Sequence, residues 1–203
     1  MTSKQILDAF SEGLMRDERI LNARERELLT NLLQNAREAS CSNPETQAAL
    51  NAAIAGGRDD VGATVSAFCP VSAEAQLVMV SLLSGSYPAE LFGRADEPVT
   101  RFAVTLLSAG QRMLAGRFAA SGRPGARHML DDVPHRRGPD SGALIVDGGL
   151  AALECAAAQV IPAGDHLLVI ARVTGVPYVA DSGAPLIRFR RHYLAIGSSA
   201  SSG

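Results

Sequence analysis

The sequence predicts a mainly β protein: a small, closed or partly closed barrel preceded by an α-helical extension. Two observations carry this. The apolar residues keep a helical rhythm through the first third of the chain and change at Val61 to short β-prone runs. Gly, Pro and Asp then punctuate those runs at close spacing, as in small antiparallel barrels.

In the N-terminal third, Ile6, Leu7, Phe10 and Leu14 make one apolar stripe, and Leu28, Leu29, Leu32 and Leu33 make a second. Arg16-Asp17-Glu18-Arg19 reads as the polar connection between them. Asn43-Pro44 offers an N-cap followed by proline at the first helical position. The alanine-rich run from Glu45 to Ala55 is helix-prone, and Gly56-Gly57 stops it. Residues 1–57 are therefore expected to be short helices. Residues 58–196 form the barrel and 197–203 a flexible tail of small residues.

Strands are expected at Val61–Phe68, Gln76–Leu83, Arg101–Leu107, Leu150–Ile161, His166–Val173 and Leu186–His192. Ser108–Ala120 reads as a helix with Met113, Leu114 and Phe118 on one face. Ser121–Gly142, rich in Gly, Pro, Arg and Asp, reads as a long loop, and loops of that length are often functional.

Bulk properties narrow the function. The 203 residues suffice for a core without metals or disulfides, and 47% hydrophobic content is ordinary for a globular chain. A net charge of −2 and a pI near 6.1 give no basic stripe for nucleic acid. No apolar run is long enough to span a membrane, and the N-terminus lacks the apolar segment of a signal peptide. Cys41, Cys69 and Cys155 are odd in number and widely spaced, the usage of a reduced, cytoplasmic protein. Dinucleotide-binding GxGxxG, phosphate-binding GxxxxGK[ST] and nucleophile-elbow GxSxG patterns are missing. His128 and His135, near Asp131 and Asp132, match no standard zinc spacing, so a solvated polar loop and no metal are expected.

Four segments, in order, carry a resemblance. They are Gly62-Ala63-Thr64-Val65-Ser66-Ala67-Phe68-Cys69-Pro70-Val71-Ser72; Arg101-Phe102-Ala103-Val104-Thr105-Leu106-Leu107-Ser108 leading to Arg117-Phe118-Ala119; Leu153-Glu154-Cys155 with Ala163-Gly164-Asp165-His166; and Pro185-Leu186 closing on Tyr193. This series resembles the flavin reductase-like, FMN-binding split-barrel family over residues 61–193. The resemblance implies a Greek-key split barrel, FMN or FAD as cofactor and NAD(P)H as reductant. It also implies a homodimer and an oxygenase partner in a two-component monooxygenase.

The resemblance places the flavin against Thr64, Ser66, Ala67, Phe68, Cys69 and Ser72. Small hydroxyls there can donate and accept without filling the ring's space, and Phe68 and Cys69 supply apolar wall. Ser84 and Ser86 stand in the loop that the family uses for the flavin's phosphate, and Thr105 stands where the family has Asn in the part of the site that grips FMN. Arg117 could meet a phosphate bidentately or form a surface ion pair. His166, with Asp165, would hold the nicotinamide over the flavin, since hydride transfer needs positioning more than acid–base work. Glu154 and Cys155 read as structural.

Three departures set the alternatives. The family's first strand stands where this chain has the alanine-rich run, so the barrel is expected to lack it and to need its open edge covered. Ala73-Glu74-Ala75 replaces the family's D-P-P-like turn, and Ser84-Gly85-Ser86-Tyr87-Pro88 contains no arginine. A flavin-free barrel that binds another small molecule, as a binding protein or a cyclase or isomerase, is the alternative function. The N-terminal helices read as part of the core or dimer interface, or as a docking module.

Overall fold

The computed structural model describes residues 46–48, 50–54, 60–65, 67–94, 98–120, 122, 124–189 and 192–195, with Arg24 and Glu27. Arg24 and Glu27 are helical; the rest of the expected helices over 3–37, and the tail 197–203, lie outside the described residues.

The alanine-rich run forms strands, not a helix: β1 is Thr46–Ala48 and β2 is Leu50–Ile54. The expectation of a barrel without its first strand is thereby corrected. Alanine's helix propensity is worth only tenths of a kcal/mol per residue against most residues. Here β2 is hydrogen-bonded on both sides, opposite Val61–Val65 and opposite Phe102–Leu106, so its backbone is satisfied along both edges. The barrel sequence thus begins by Thr46 and not at residue 58.

The Val61–Phe68 run bends into two strands, β3 (Val61–Val65) and β4 (Phe68–Ser72), followed by β5 (Leu77–Leu83). Helix α1 (Tyr87–Gly93) leads to β6 (Arg101–Leu106). A 3-10 turn, Ala109–Gln111, opens α2 (Arg112–Ala119), as the sequence predicts for this segment. The expected long loop is not structureless. It holds α3 (Ala126–Met129) and β7 (His135–Arg137), which pairs with β8 (Leu144–Val146). The long hairpin β9 (Ala151–Ala163) and β10 (His166–Val179) follows, then β11 (Leu186–Phe189) and β12 (His192–Ala195) where one strand is expected.

The main sheet has the order β3-β2-β6-β9-β10-β5-β4, antiparallel throughout. Its two edge strands, β3 and β4, are consecutive in sequence, separated by Ser66 and Ala67. The chain therefore leaves one edge and enters the other, and Ser81 N–H donates to Ala67 O at that junction. The two edges of the sheet are thereby joined at this bend, which curls the sheet into a barrel. Strands β6, β9 and β10 form a meander with β5 beside β10, the Greek-key arrangement.

Alternation along these strands fills the barrel with Val61, Val65, Val78, Val80, Leu82, Phe102, Val104, Leu153, Cys155, Val169 and Val173. Helix α1 adds Leu91 and Phe92, whose ring meets Phe102 edge-on at 5.5 Å. A second apolar layer lies outside, where α2 and α3 place Leu114, Phe118 and Met129 against Leu144, Val146 and Leu186.

Candidate active site

A cleft of about 740 Å³ opens where three segments converge. Its lining comes from the start of β3 (Asp60, Val61, Gly62), the turn from β5 into α1 (Leu83, Gly85, Ser86, Tyr87, Pro88), and the segment after α2 (Gly122, Pro124, Gly125). Local chemistry fixes the second of these. Ser86 caps α1, its Oγ accepting from Ala89 N–H at 3.4 Å, and Pro88 sits in the first turn, where a missing N–H costs nothing.

The Gly164-Asp165-His166 turn adjoins this corner. His166 stands opposite Leu83 in the β10–β5 register, and Ser84 N–H donates to Asp165 O at 2.9 Å. Gly164 has φ +63°, the left-handed conformation this tight turn requires. His166 Nδ1 lies 2.7 Å from Asp165 Oδ1. The hydrogen bond and charge of His166 hold the Asp165 carboxyl below the usual range. An ionised carboxylate only accepts, so Nδ1 donates, and the half-exposed ring keeps Nε2 for another partner.

Asp60 ties the opposite wall together. Arg137 donates to both of its carboxylate oxygens, at 2.8 and 2.7 Å, and Arg127 Nε lies 3.5 Å away. The Arg137 bond holds the Asp60 carboxyl below its usual range against the opposing effect of burial. Its main-chain oxygen accepts from Ala126 N–H at 2.8 Å, fastening α3 to the barrel.

Of the residues singled out from the sequence, Ser84, Ser86, Asp165 and His166 share this end of the barrel. Others lie away from the cleft lining. Thr64 Oγ1 donates to Ala115 O at 2.8 Å, joining β3 to α2. Ser72 Oγ accepts from Ala75 N–H in the β4–β5 turn. Phe68 packs against the barrel core, and Thr105 is buried within β6. Cys69 is half-buried, which pushes its thiol up. Arg117 binds both carboxylate oxygens of Asp132 and donates to Met129 O at 3.2 Å, the surface ion pair weighed from the sequence. Ala67 marks the β3–β4 bend, and Ser66 lies outside the described residues. Glu154 is buried, its Oε1 accepting from Asp140 N–H, Ser141 N–H and Ser141 Oγ. Cys155 is buried in the barrel core, and burial pushes its thiol far above the usual range.

Sequence reasoning missed Asp60, Leu83, Tyr87 and the Gly122–Gly125 wall. Gly85, Gly122 and Pro124-Gly125 are the local signal for a tight, backbone-lined surface. Asp60 has none, because its partner lies 77 residues away.

The model of the flavin reductase like domain matches residues 45–197. The chain belongs to that family. The match starts at the strands β1 and β2 that sequence reading took for helix. Among relatives, the NADH-dependent FAD reductase of Streptomyces globisporus is 34% identical over 67% of this chain and 74% of its own length. The actinorhodin polyketide dimerase of Streptomyces coelicolor is 32% identical over 81% of this chain and 86% of its own. The solved styrene monooxygenase flavin reductase of Pseudomonas putida superposes with a TM-score of 0.61 at 26% identity, covering 75% of this chain and 92% of that one.

The cleft fits a flavin. Its volume is within the range that takes drug-sized ligands. A Cβ built on Gly85 or Gly122 meets nothing within 4 Å, so backbone there faces open space that a ring or ribityl chain can fill. Leu83 and Tyr87 supply exposed apolar wall and Ser86 a hydroxyl.

Proposed function

We propose that this chain is an NAD(P)H-dependent flavin reductase that binds FMN or FAD in the cleft and uses Asp165-His166 to seat the nicotinamide. The observation that carries this is the coupling of the cleft to the Gly164–His166 turn through Leu83 and Ser84, in a chain of the flavin reductase family. Flavin held here would supply the hydride acceptor, with the dihydronicotinamide as the two-electron donor and solvent as the source of the balancing proton. The protein contributes position: Asp165 fixes the imidazole, and His166 Nε2 offers a hydrogen bond to the carboxamide or a phosphate. Ser86 meets the flavin's phosphate chain, and Leu83 adds apolar wall. Thr64 and Arg117 hold this end of the barrel in shape from outside the cleft.

The name of the styrene monooxygenase flavin reductase supports release of reduced flavin to an oxygenase as the physiological role. A homodimer in the cytoplasm completes the reading. The cytoplasm holds the pyridine nucleotide pool that the reaction draws on.

A second reading keeps the barrel and drops the flavin, the cleft taking another small molecule. One observation favours it: the Ser84–Pro88 turn has no arginine, and Arg117 and Arg137 are engaged by Asp132 and Asp60. Steady-state oxidation of NADH and NADPH, each with FMN, FAD or no flavin, separates the two. Flavin-dependent, saturable turnover is the expected result; no turnover with any pair supports the second reading.

A further inference from the structure

Tyr87 follows directly on Ser86, in the turn that meets the flavin's phosphate chain in the reading above, and it is the aromatic residue among the described residues lining the cleft. It is 47% exposed, and Leu83 at the start of the same turn is 54% exposed. Large apolar groups left bare in a concave site mark a surface that a ligand covers. The phenol is held in place. Ser86 caps the helix that begins at Tyr87, its Oγ accepting from Ala89 N–H, and Pro88 restricts the backbone of the first turn. The turn Ser84-Gly85-Ser86-Tyr87-Pro88 has no cation of its own. Arg94, at the far end of α1, supplies one: its guanidinium carbon lies 6.0 Å from the Tyr87 ring centroid, at the limit of cation–π reach. An open aromatic face and a cation beside a phosphate site match a nucleotide. The base stacks on the ring, and the cation meets the added negative charge.

FMN ends at its phosphate. FAD continues from that phosphate through a second one to adenosine, so the surface next to the phosphate turn decides between the two. We propose that Tyr87, with Arg94 beside it, is the platform for the adenylate half of FAD, and that the chain prefers FAD to FMN. This rests on reading the cleft as the flavin site. The flavin's own ring lies on the other side of the phosphate chain and does not reach Tyr87. A dihydronicotinamide dinucleotide also carries an adenylate half. Its nicotinamide is assigned to the Gly164–His166 turn, whereas Tyr87 belongs to the turn of the flavin's phosphate, so the flavin is the source of this adenine.

The experiment follows oxidation of NADH or NADPH, whichever turns over faster, by the full chain, Tyr87→Phe and Tyr87→Leu. Each is run over a range of FAD, a range of FMN and, with FMN as acceptor, a range of the dihydronicotinamide. KM of the unaltered chain is expected to be lower for FAD than for FMN. Tyr87→Leu raises KM for FAD about two- to tenfold, the weight of one aromatic stack, and leaves KM for FMN unchanged. Tyr87→Phe keeps the aromatic face and with it the preference for FAD. Turnover with FMN shows that each variant is folded. Equal KM values for FAD and FMN in the unaltered chain, or a shift common to both flavins in Tyr87→Leu, overturn the proposal while the flavin reading stands. So does a rise in KM for the dihydronicotinamide with FMN as acceptor, which would give the platform to the reductant. No turnover of the unaltered chain with either flavin overturns both.

Discussion

Gly62 on β3 lies directly under the ring of Phe118 on α2: a Cβ built on Gly62 would overlap Cε1 of that ring. Phe118 is 1% exposed, so its ring has nowhere to move. This close approach, with the Thr64–Ala115 hydrogen bond beside it, sets the distance between the helix layer and the barrel strand that lines the cleft. Gly62→Ala should therefore destabilise the protein by about 1–3 kcal/mol through overpacking. Phe118→Leu in the Gly62→Ala background should recover part of the loss, measured by urea unfolding.

Glu154 anchors the turn between β7 and β8 from beneath. Its buried carboxylate accepts three hydrogen bonds from Asp140 and Ser141. Glu154→Ala leaves those donors without their acceptor and should cost about 2–4 kcal/mol. Glu154→Gln keeps an acceptor oxygen and should cost about half as much, read as the shift in denaturant midpoint at constant slope.

Acid should loosen the wall of the cleft through Asp60. The Arg137 bond holds its carboxyl below the ordinary 3.8 in the folded state. The stabilisation is then fully present above that value and is lost as pH falls through the lower folded-state pKa. Asp60→Asn should be less stable than the unaltered chain near neutral pH, and the gap should close as pH drops below about 4. Unfolding midpoints across that range check it.

Much of the fold is legible in the sequence. Strands β5, β6, β9 and β10 follow the apolar runs to within a few residues except for the end of β10, and α2 buries Leu114 and Phe118 as expected, while Met113, expected on the same face, is exposed. What escaped depends on distant partners. Nothing local in Leu50–Ile54 outweighs alanine's helix preference; pairing with β3 and β6 does. Likewise β7 exists because Leu144–Val146 lies within reach to pair with it. The Asp165-His166 contact was legible because the two residues are neighbours in one turn. Asp60 was not, since Arg137 approaches it only in the folded chain. Thr64 read as a ligand group because a strand hydroxyl looks the same from sequence whether it faces a cleft or a helix carbonyl.

His166→Ala should raise KM for NADH about tenfold, at the lower end for a hydrogen bond to a charged group because the ring is half exposed. Flavin Kd should stay unchanged. Arg117→Ala should leave flavin Kd within about twofold, because Arg117 is engaged by Asp132 at the surface. A large rise in flavin Kd for Arg117→Ala would instead place a phosphate on that side chain.

The most direct measurement is made without oxygen. A catalytic amount of the full chain is mixed with excess FMN or FAD and NADH or NADPH, and the visible flavin band is followed. The account predicts that the band bleaches to completion far faster than in the protein-free mixture, consuming one dihydronicotinamide per flavin. Bleaching no faster than the protein-free rate for every combination would contradict a flavin reductase.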